Sequence, residues 1–553
     1  MGMQAPEEFL VLDIETTLDH NTIHGAGLCS SWTRSVEWVS DRDSLARIVG
    51  DAKVIVGHNI IGFDLPVLKR VWGWEPAEGV QIIDTLVLSR LARPDRDGGH
   101  SLGALARLAG KNLKQDFDPA DFDGPVTDKM IDYCLADCIA NADVFDFLLR
   151  ELDGFDQQCI DLEMEVARLT RVQESNGFCF DFNMASDLYV QHEERMNEIT
   201  GQLQAVFPPI VTERWSEKTG KQLKDHVEVF NPGSRQQIAK RLETKGVVWE
   251  RRTEKGNIIV DETTLGAHEH IPEAVLILEY LTLGKRIGML RSWLDNCKNG
   301  RIHGRVNTIG AVTGRMSHSS PNLAQIPSEA EYRRCFTVET GNRLVGIDAS
   351  GLELRMLAHY MQDQKYTDVI LEGDIHTENQ QAAGLPTRND AKTFIYAFLY
   401  GAGDAKIGSI IGGSAEAGRK LKARFLKNIP ALSRLIDKVK RLAVRDEYLP
   451  GLDGRRVHVR SDHAALNTLL QSAGAIVMKQ ALVLASDRLR QMQIPYRLVA
   501  QVHDEFQVEV PAEYAEQVGM VFRNAIRRAG RELDLRCPLD GEFQVGHTWA
   551  DTH

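Results

Sequence analysis

Two apolar, strand-like runs in this chain stop on carboxylates: FLVLDIETT (9–17) carries Asp13 and Glu15, and RLVGIDAS (343–350) carries Asp348. Runs of this length and composition pack into sheets, and Asp348 falls at the end of its strand. Asp13 and Glu15 are two positions apart and share one face of their strand. A third apolar run, AKVIVGHNI (52–60), lies between FLVLDIETT and two helical patterns, DTLVLSRLARP (84–94) and DKMIDYCLADCIANADVFDFLLREL (128–152). Strands alternating with helices predict an α/β domain over residues 1–150.

The chain has 553 residues and a mass of 61.9 kDa, too long for one hydrophobic core, so several domains are expected. Residues 155–205 read as long amphipathic helices broken by a strand at NGFCFDF (176–182), and the stretch 207–229 reads as a polar, irregular link. Helix resumes at PGSRQQIAKRL (232–242), with Ser234 as its N-cap. From about residue 300 strands and helices mix to the end. The apolar run AVLILEYL is too short and too charged to span a bilayer, and the N-terminus has no secretory pattern. Eight scattered cysteines, of which Cys134 and Cys138 alone are close, read as reduced structural thiols rather than a zinc site. A net charge of −13 weighs against nucleic-acid binding, although basic stretches occur at 240–246, 284–288, 418–428 and 434–441.

The first acid set is Asp13 and Glu15, then Asp64 in HNIIGFD, then Asp137, four residues after Tyr133 in YCLADC. Tyr133 and Asp137 share a helix face. Four acids from three segments suit two divalent cations that stabilise the attacking and leaving oxygens of a phosphoryl displacement, and all-oxygen ligands favour Mg2+ or Mn2+. Each acid alone reads equally as a surface charge or a helix cap. The ordered set D-x-E, N-x4-D, Y-x3-D resembles the three motifs of DnaQ-like, RNase H-fold exonucleases, in which the tyrosine orients the attacking water.

The second set is Asp348 and Asp504, the latter in VAQVHDEFQVEV, which reads as a hairpin with its tip at His-Asp-Glu. An acid at a strand end and one at a hairpin tip can meet across a sheet. Between them, Arg388, Lys392, Tyr396 and Tyr400 recur every four residues and form one helical stripe. Cations followed by aromatics suit a nucleotide, phosphates first and sugar and base next; the same stripe also suits an amphipathic helix that buries its rings.

These three segments resemble motifs A, B and C of family A (Pol I-type) DNA polymerases. IHGRVNTIGAVTGRMSHSSPNLAQIP (302–327), GDIHT (373–377), HAALNTLLQSAGA (463–475) and GLDGR-x-VHVRS (451–461) fit the same family, most closely the replicative polymerases of T-seven-like podophages. The resemblance implies an α/β, mixed α+β, multidomain chain: a 3′–5′ exonuclease over 1–150, thumb and connector over 151–299, palm over 300–373 and 449–553, and fingers over 374–448. It implies that Asp348, Asp504 and the carbonyl of Ala349 hold the polymerase metals, and that Asp13, Glu15, Asp64 and Asp137 hold the exonuclease metals, two Mg2+ in each site. Arg388, Lys392 and His376 are expected on the triphosphate, with Lys392 as proton donor to pyrophosphate. Tyr396 is expected on the sugar, Tyr400 beside the template, and Glu353 against a ribose 2′-hydroxyl. Arg315, Asn467, Gln471 and His503 are expected on primer–template, with Glu505 as an accessory acid.

Two departures accompany the resemblance. The chain starts at the exonuclease, without a 5′-nuclease domain. Where phage relatives carry a thumb insertion that captures thioredoxin, residues 207–229 are short, so thioredoxin is not expected as a partner, and basic residues such as Lys285 and Arg286 are left to grip DNA. Expected partners are primer–template DNA, dNTPs, and a phage helicase-primase and single-strand-binding protein, in the host cytoplasm and with no membrane. The competing readings are an exonuclease with a nucleic-acid-binding C-terminal region, a single-subunit RNA polymerase, and a non-catalytic scaffold.

Overall fold

Near-continuous burial along LVLDIET is what a strand covered on both faces requires, and a computed structural model of the chain, describing residues 6–111 and 118–553, places it there as β1, Leu10–Thr16. β1 pairs antiparallel with β2 (Ile23–Ser30) and parallel with β4 (Val54–Gly57), and β3 (Val36–Val39) and β5 (Gln81–Asp84) complete a sheet of order β3-β2-β1-β4-β5. Of these strands, β2, β3 and β5 were not read from sequence. β2 carries two glycines in IHGAGLCS, and the other two are four residues long, so none shows a sustained alternation.

The helix Asp128–Glu151 buries Met130, Cys134, Cys138, Phe145 and Leu148, a stripe at helical spacing, after Thr127 caps its first turn. Gly27 of β2 lets this helix lie close on the sheet, because a Cβ there would come within 2.7 Å of Cys134 Sγ. Two apolar clusters, one built around Val56, Phe145 and Leu148 and the other around Leu12, Ile55 and Leu68, form the core of this part.

By internal contacts the chain forms two units, one of residues 1–177, 304–326 and 338–553 and one of Phe178–His303 and Pro327–Thr337. In the first, the helix Gln157–Asn176 leads from the β1–β5 domain to the long helix Ala465–Gln491. Glu163, wholly buried on it, accepts from Lys479 Nζ at 2.7 and 2.8 Å and from Arg455 Nη1 at 2.6 Å, and Arg455 also holds buried Asp453 at 2.6 Å. Two cations and two anions close this network. Beyond it, Arg497–Val502, Glu505–Pro511, Asn342–Ala349 and Gly541–Gly546 form an antiparallel sheet in that order, backed by the helices Gln157–Asn176 and Ala515–Glu532, on which Ala465–Gln491 packs in turn. In the chain, the helices from Ile375–Ala383 to Pro430–Asp446 come between the strands Asn342–Ala349 and Arg497–Val502.

The segment 462–491 corrects the sequence reading of apolar runs. Among the described residues it is the one helix long and apolar enough to cross a membrane, with mean hydropathy 1.4 in its most apolar window, but 72% of that window is buried inside the protein, as in a core helix.

In the second unit, the helices Phe182–Val206 and Pro272–Asn296 pack together, and Phe178, Phe180, Trp293 and Phe336 interlock with ring centroids 5.1 to 6.2 Å apart. Ser234 caps the helix Arg235–Glu243 through Gln237 N, as its position predicts. The supposed irregular link is instead an antiparallel hairpin, Ile210–Trp215 with Gln222–Glu228. Nearly all of its residues are exposed on both faces, so it has no apolar alternation from which strands could be read.

Candidate functional site

Strand β1 delivers Asp13 and Glu15 from the middle of its sheet. Asp64 opens the helix Asp64–Trp72, and its Oδ1 accepts the Ile14 N–H at 3.1 Å, which ties it to the backbone between the other two acids. Asp137 comes from the helix Asp128–Glu151, where the Tyr133 hydroxyl donates to it. The four acids repel one another in a desolvated place. Glu15 is pushed up to about 9 by burial and then by Asp13 and Asp137. Burial raises Asp13, with Asp137 adding to it, and Asp64, with Asp13 adding to it. Asp137 rises to about 6, chiefly by burial. Tyr133 is held well above the usual phenol range by burial and by Asp137 and Glu15, so it stays a hydroxyl donor.

Two residues near this centre were given no part in it by the sequence, Asp84 being unremarked and Cys134 read as a structural thiol. Buried Asp84, at the end of β5, accepts N–H bonds from Asn59 (2.8 Å), Ile61 (3.1 Å) and Leu86 (2.9 Å), and so holds the loop that leads into Asp64. Its position before a helix is the ordinary N-cap signal, which accounts for one of those bonds and hides the other two. Cys134 points at Asp13, with Sγ 3.7 Å from Oδ2.

On the second sheet, Asp348 sits near the end of Asn342–Ala349 and Asp504 in the turn after Arg497–Val502, and the Ala349 N–H donates to the Asp504 carbonyl at 3.0 Å. The turn needs His503 at φ 56°, a left-handed conformation that exposes its ring. Asp348 is pushed up to about 7 by burial, Asp504 and Glu505, and Asp504 to about 6 by burial and Glu353. Glu505 behaves differently. Burial raises it, but hydrogen bonds with His553, Gln507 and Trp549 outweigh burial and leave it below the ordinary value. Its oxygens already have partners, with Trp549 Nε1 at 2.6 Å and His553 Nδ1 at 3.1 Å.

Arg388, Lys392 and Tyr396 ride the helix Arg388–Leu399, with Tyr400 at its C-cap. Arg388 grips Asp374, Nε to Oδ2 at 2.6 Å and Nη2 to Oδ1 at 3.1 Å, and Asp374 also caps the helix that carries His376. Lys392 is exposed one turn on. The His376 ring lies 6.2 Å from the Tyr396 ring, and Tyr396 feels Glu353, Asp504 and Asp348 in addition to the burial that raises it. The Tyr400 hydroxyl donates to Glu353 Oε1 at 2.7 Å, and Arg315 Nη2 reaches the same oxygen at 3.2 Å. Asn467 Nδ2 donates to the Leu399 carbonyl at 2.8 Å, and half-buried Gln471 follows one turn later. A pocket beside these groups is lined by Arg315, Glu353, Met478, Lys479, His503 and Asp504.

Two acid centres on separate sheets, the second faced by a cationic and aromatic helix, are what template-directed synthesis with proofreading requires. Comparison with known proteins agrees: residues 211–551 match DNA polymerase family A, and residues 35–153 match the 3′–5′ exonuclease family. The chain belongs to the family A DNA polymerases and carries a 3′–5′ exonuclease domain; it is a DNA-directed DNA polymerase of the phage replicative type. It is 34% identical to the DNA-directed DNA polymerase of Escherichia phage T7, over 98% of this chain and 100% of the relative. The enzyme of Enterobacteria phage T3 is also 34% identical, over 92% and 94%. The fold is shared with a solved structure described as the POL domain of Pol1 from M. smegmatis in complex with DNA primer-template and dNTP, at TM-score 0.83 and 20% identity, covering 98% of this chain and 95% of that one. Family A polymerase and exonuclease domains depend on divalent metals. Asp13 and Glu15 precede the segment matched as exonuclease but lie within a domain whose sheet that segment completes.

Proposed function

We propose that Asp348 and Asp504 hold the cations of DNA synthesis and that Asp13, Glu15, Asp64 and Asp137 hold those of 3′–5′ excision. The carrying observation is that each set gathers carboxylates whose burial and mutual repulsion raise them, and a divalent cation relieves that repulsion. The oxygen donors suit two Mg2+ in each site, with Mn2+ as a substitute; bound there, the ions neutralise phosphate charge and activate the attacking oxygen. The carbonyl of Ala349 completes the polymerase set.

The protein's own groups position the reactants, which is most of what phosphoryl transfer asks of an enzyme. Arg388, Lys392 and His376 receive the triphosphate of a dNTP, and Arg388 exchanges Asp374 for phosphate as it does so. Lys392 gives a proton to the departing pyrophosphate. Tyr396 packs on the sugar, Glu353 excludes a 2′-hydroxyl, and Tyr400 guards the templating position. Arg315, Asn467, Gln471 and His503 contact primer–template. In the excision site Tyr133 orients the attacking water, with its hydroxyl fixed by Asp137. The domain boundaries follow the same reading: exonuclease 1–150, thumb and connector 151–299, palm 300–373 and 449–553, fingers 374–448, acting in the host cytoplasm.

The test is primer extension from matched and mismatched ends. Asp13→Ala with Glu15→Ala is expected to lower excision by roughly 10²–10³-fold and to leave extension from a matched end near wild type. Asp348→Ala with Asp504→Ala is expected to do the reverse. If either pair of substitutions lowered both activities together, the assignment of separate sites would fall.

A further inference from the structure

Of the three groups proposed to meet the triphosphate, one is already engaged. Arg388 presents its Nε–Nη2 edge to Asp374, with Nε on Oδ2 at 2.6 Å and Nη2 on Oδ1 at 3.1 Å. That edge, two parallel N–H donors, is the kind that grips two oxygens of a phosphate, and it holds one partner at a time. Asp374 is the fixed member of the pair. Its carboxylate caps the helix Ile375–Ala383, accepting from His376 N at 3.1 Å and from the Thr377 hydroxyl at 2.8 Å. Those bonds tether it to its own helix, so it cannot follow the guanidinium toward a ligand. Arg388, its side chain 56% exposed, is the member free to swing. Two neighbours mark the side from which a ligand would come. Lys392 is exposed one helical turn beyond Arg388, and His376 keeps a buried Nδ1 without a hydrogen-bond partner. Burial, then Arg388, holds the His376 ring below the usual imidazole range, and Asp374 acts the other way, which places all three groups within reach of one another's charge. A buried polar atom without a partner is costly, and a phosphate oxygen beside Arg388 would supply one.

We infer that Asp374 sets the nucleotide affinity of the synthesis site: its carboxylate stands in for phosphate on Arg388, and an incoming triphosphate has to displace it. The inference rests on the reading of Arg388 as a triphosphate ligand. Competition of this kind lowers the fraction of protein whose Arg388 is free. It therefore weakens every anion that takes Arg388 by one common factor and leaves unchanged any that does not. Pyrophosphate, the second product of synthesis, carries the same phosphate oxygens. The carboxylate that weakens substrate binding thus also hastens the product's departure, by retaking the guanidinium as it leaves.

The test measures equilibrium binding of the next matching dNTP to the full-length chain on a primer–template whose primer ends in a dideoxynucleotide, so that no bond forms. Asp374→Asn removes the charge and keeps a capping oxygen, so it is expected to melt with wild type. It is expected to bind the dNTP about three- to fivefold more tightly, the factor that an exposed bidentate ion pair supplies. Asp374→Ser, a second uncharged cap, is expected to match it. In extension assays at low dNTP, the pyrophosphate concentration that halves synthesis should fall by the same factor. Arg388→Ala is expected to weaken dNTP binding, and Asp374→Asn/Arg388→Ala to bind no better than Arg388→Ala, because Asp374 acts through Arg388. Binding unchanged or weaker in both Asp374 variants, with Arg388→Ala weakened, would overturn the inference and keep the reading of Arg388. An equal gain in the Arg388→Ala background would also overturn it, since the carboxylate would then only repel phosphate. Wild-type affinity in Arg388→Ala would sink the reading of Arg388, and the inference with it.

Discussion

Glu353 is held from two sides, by the Tyr400 hydroxyl and by Arg315, and Tyr396 stands near enough to feel its charge. A carboxylate fixed this way fits the proposed exclusion of a ribose 2′-hydroxyl, because it is not free to swing aside. Glu353→Ala is therefore expected to raise ribonucleotide incorporation by about 10–200-fold, the range that one steric or polar rejection supplies. On the proposed placement of Tyr396 against the sugar, its hydroxyl lies near the 3′ position, so dideoxynucleotides should be used almost as well as normal ones, and Tyr396→Phe should reduce their use. Competition assays with labelled chain terminators measure this, and a strong bias against terminators in wild type would place Tyr396 elsewhere.

The raised acids also predict how the metal-free protein responds to pH. Glu15 at about 9, Asp348 at about 7, and Asp137 and Asp504 at about 6 all lie above their unfolded values of 3.8 to 4.5. Below those unfolded values both states hold their protons and the acids cost nothing. As pH rises, the unfolded chain ionises first, so stability falls until the folded acids also ionise. The melting temperature without metal should thus drop between about pH 5 and pH 9, and Asp13→Ala/Glu15→Ala should melt above wild type at pH 8. Added Mg2+ should raise the wild-type value more at pH 8 than at pH 6. A wild type that melts higher than the double variant at pH 8 without metal would contradict the repulsion on which the metal sites are argued.

These residues also show how far sequence could reach. Asp13 with Glu15, and Tyr133 with Asp137, announce themselves because a strand and a helix repeat at fixed periods. Asp84, Cys134 and Asp374 do not, because each acts on a segment that folding brings to it: Asp84 on the 59–61 loop, Cys134 on β1, Asp374 on Arg388.

At the scale of elements, the network of Glu163, Lys479, Arg455 and Asp453 fastens the helix Gln157–Asn176 to the long helix Ala465–Gln491. A buried pair broken on one side leaves a charge without its partner, at a cost of about 3–5 kcal/mol. Glu163→Ala is expected to lower stability by that amount in thermal or denaturant melts, and adding Lys479→Met to recover much of it. A single variant as stable as wild type would show that solvent reaches the site. Elements were legible where one face is buried, as in Asp128–Glu151, and illegible where neither face is, as in the hairpin Ile210–Trp215 and Gln222–Glu228.

For the molecule as a whole, a net charge of −13 has to coexist with a polyanionic substrate. The carboxylates gathered at the two centres account for part of that charge, and grip on the phosphate backbone falls to local cations. Of the two first suggested, Arg286 is paired with Glu329 at 2.8 Å and lies over the Tyr332 ring, which leaves Lys285 as the exposed one. The alignment with the phage T7 enzyme runs over 707 positions against 553 residues here, so that relative contains long segments this chain lacks. Short synthesis runs are expected, shortening further with salt at a logarithmic slope of roughly −0.9 per phosphate contact, and reduced thioredoxin should not lengthen them. Product length per binding event under a DNA trap measures both effects, and a large gain with thioredoxin would show that the hairpin suffices to capture it.

The central claim is that one chain adds nucleotides at Asp348 and Asp504 and removes them at Asp13, Glu15, Asp64 and Asp137. Idling turnover tests it most directly: with a primer–template and only the dNTP that matches its terminal base, the release of dNMP is followed while DNA length stays constant. Wild type should release dNMP steadily, because every excised nucleotide is replaced; Asp13→Ala/Glu15→Ala should release almost none, and Asp348→Ala/Asp504→Ala should release dNMP only as its primer shortens. Steady dNMP release at constant primer length by either double variant would contradict it.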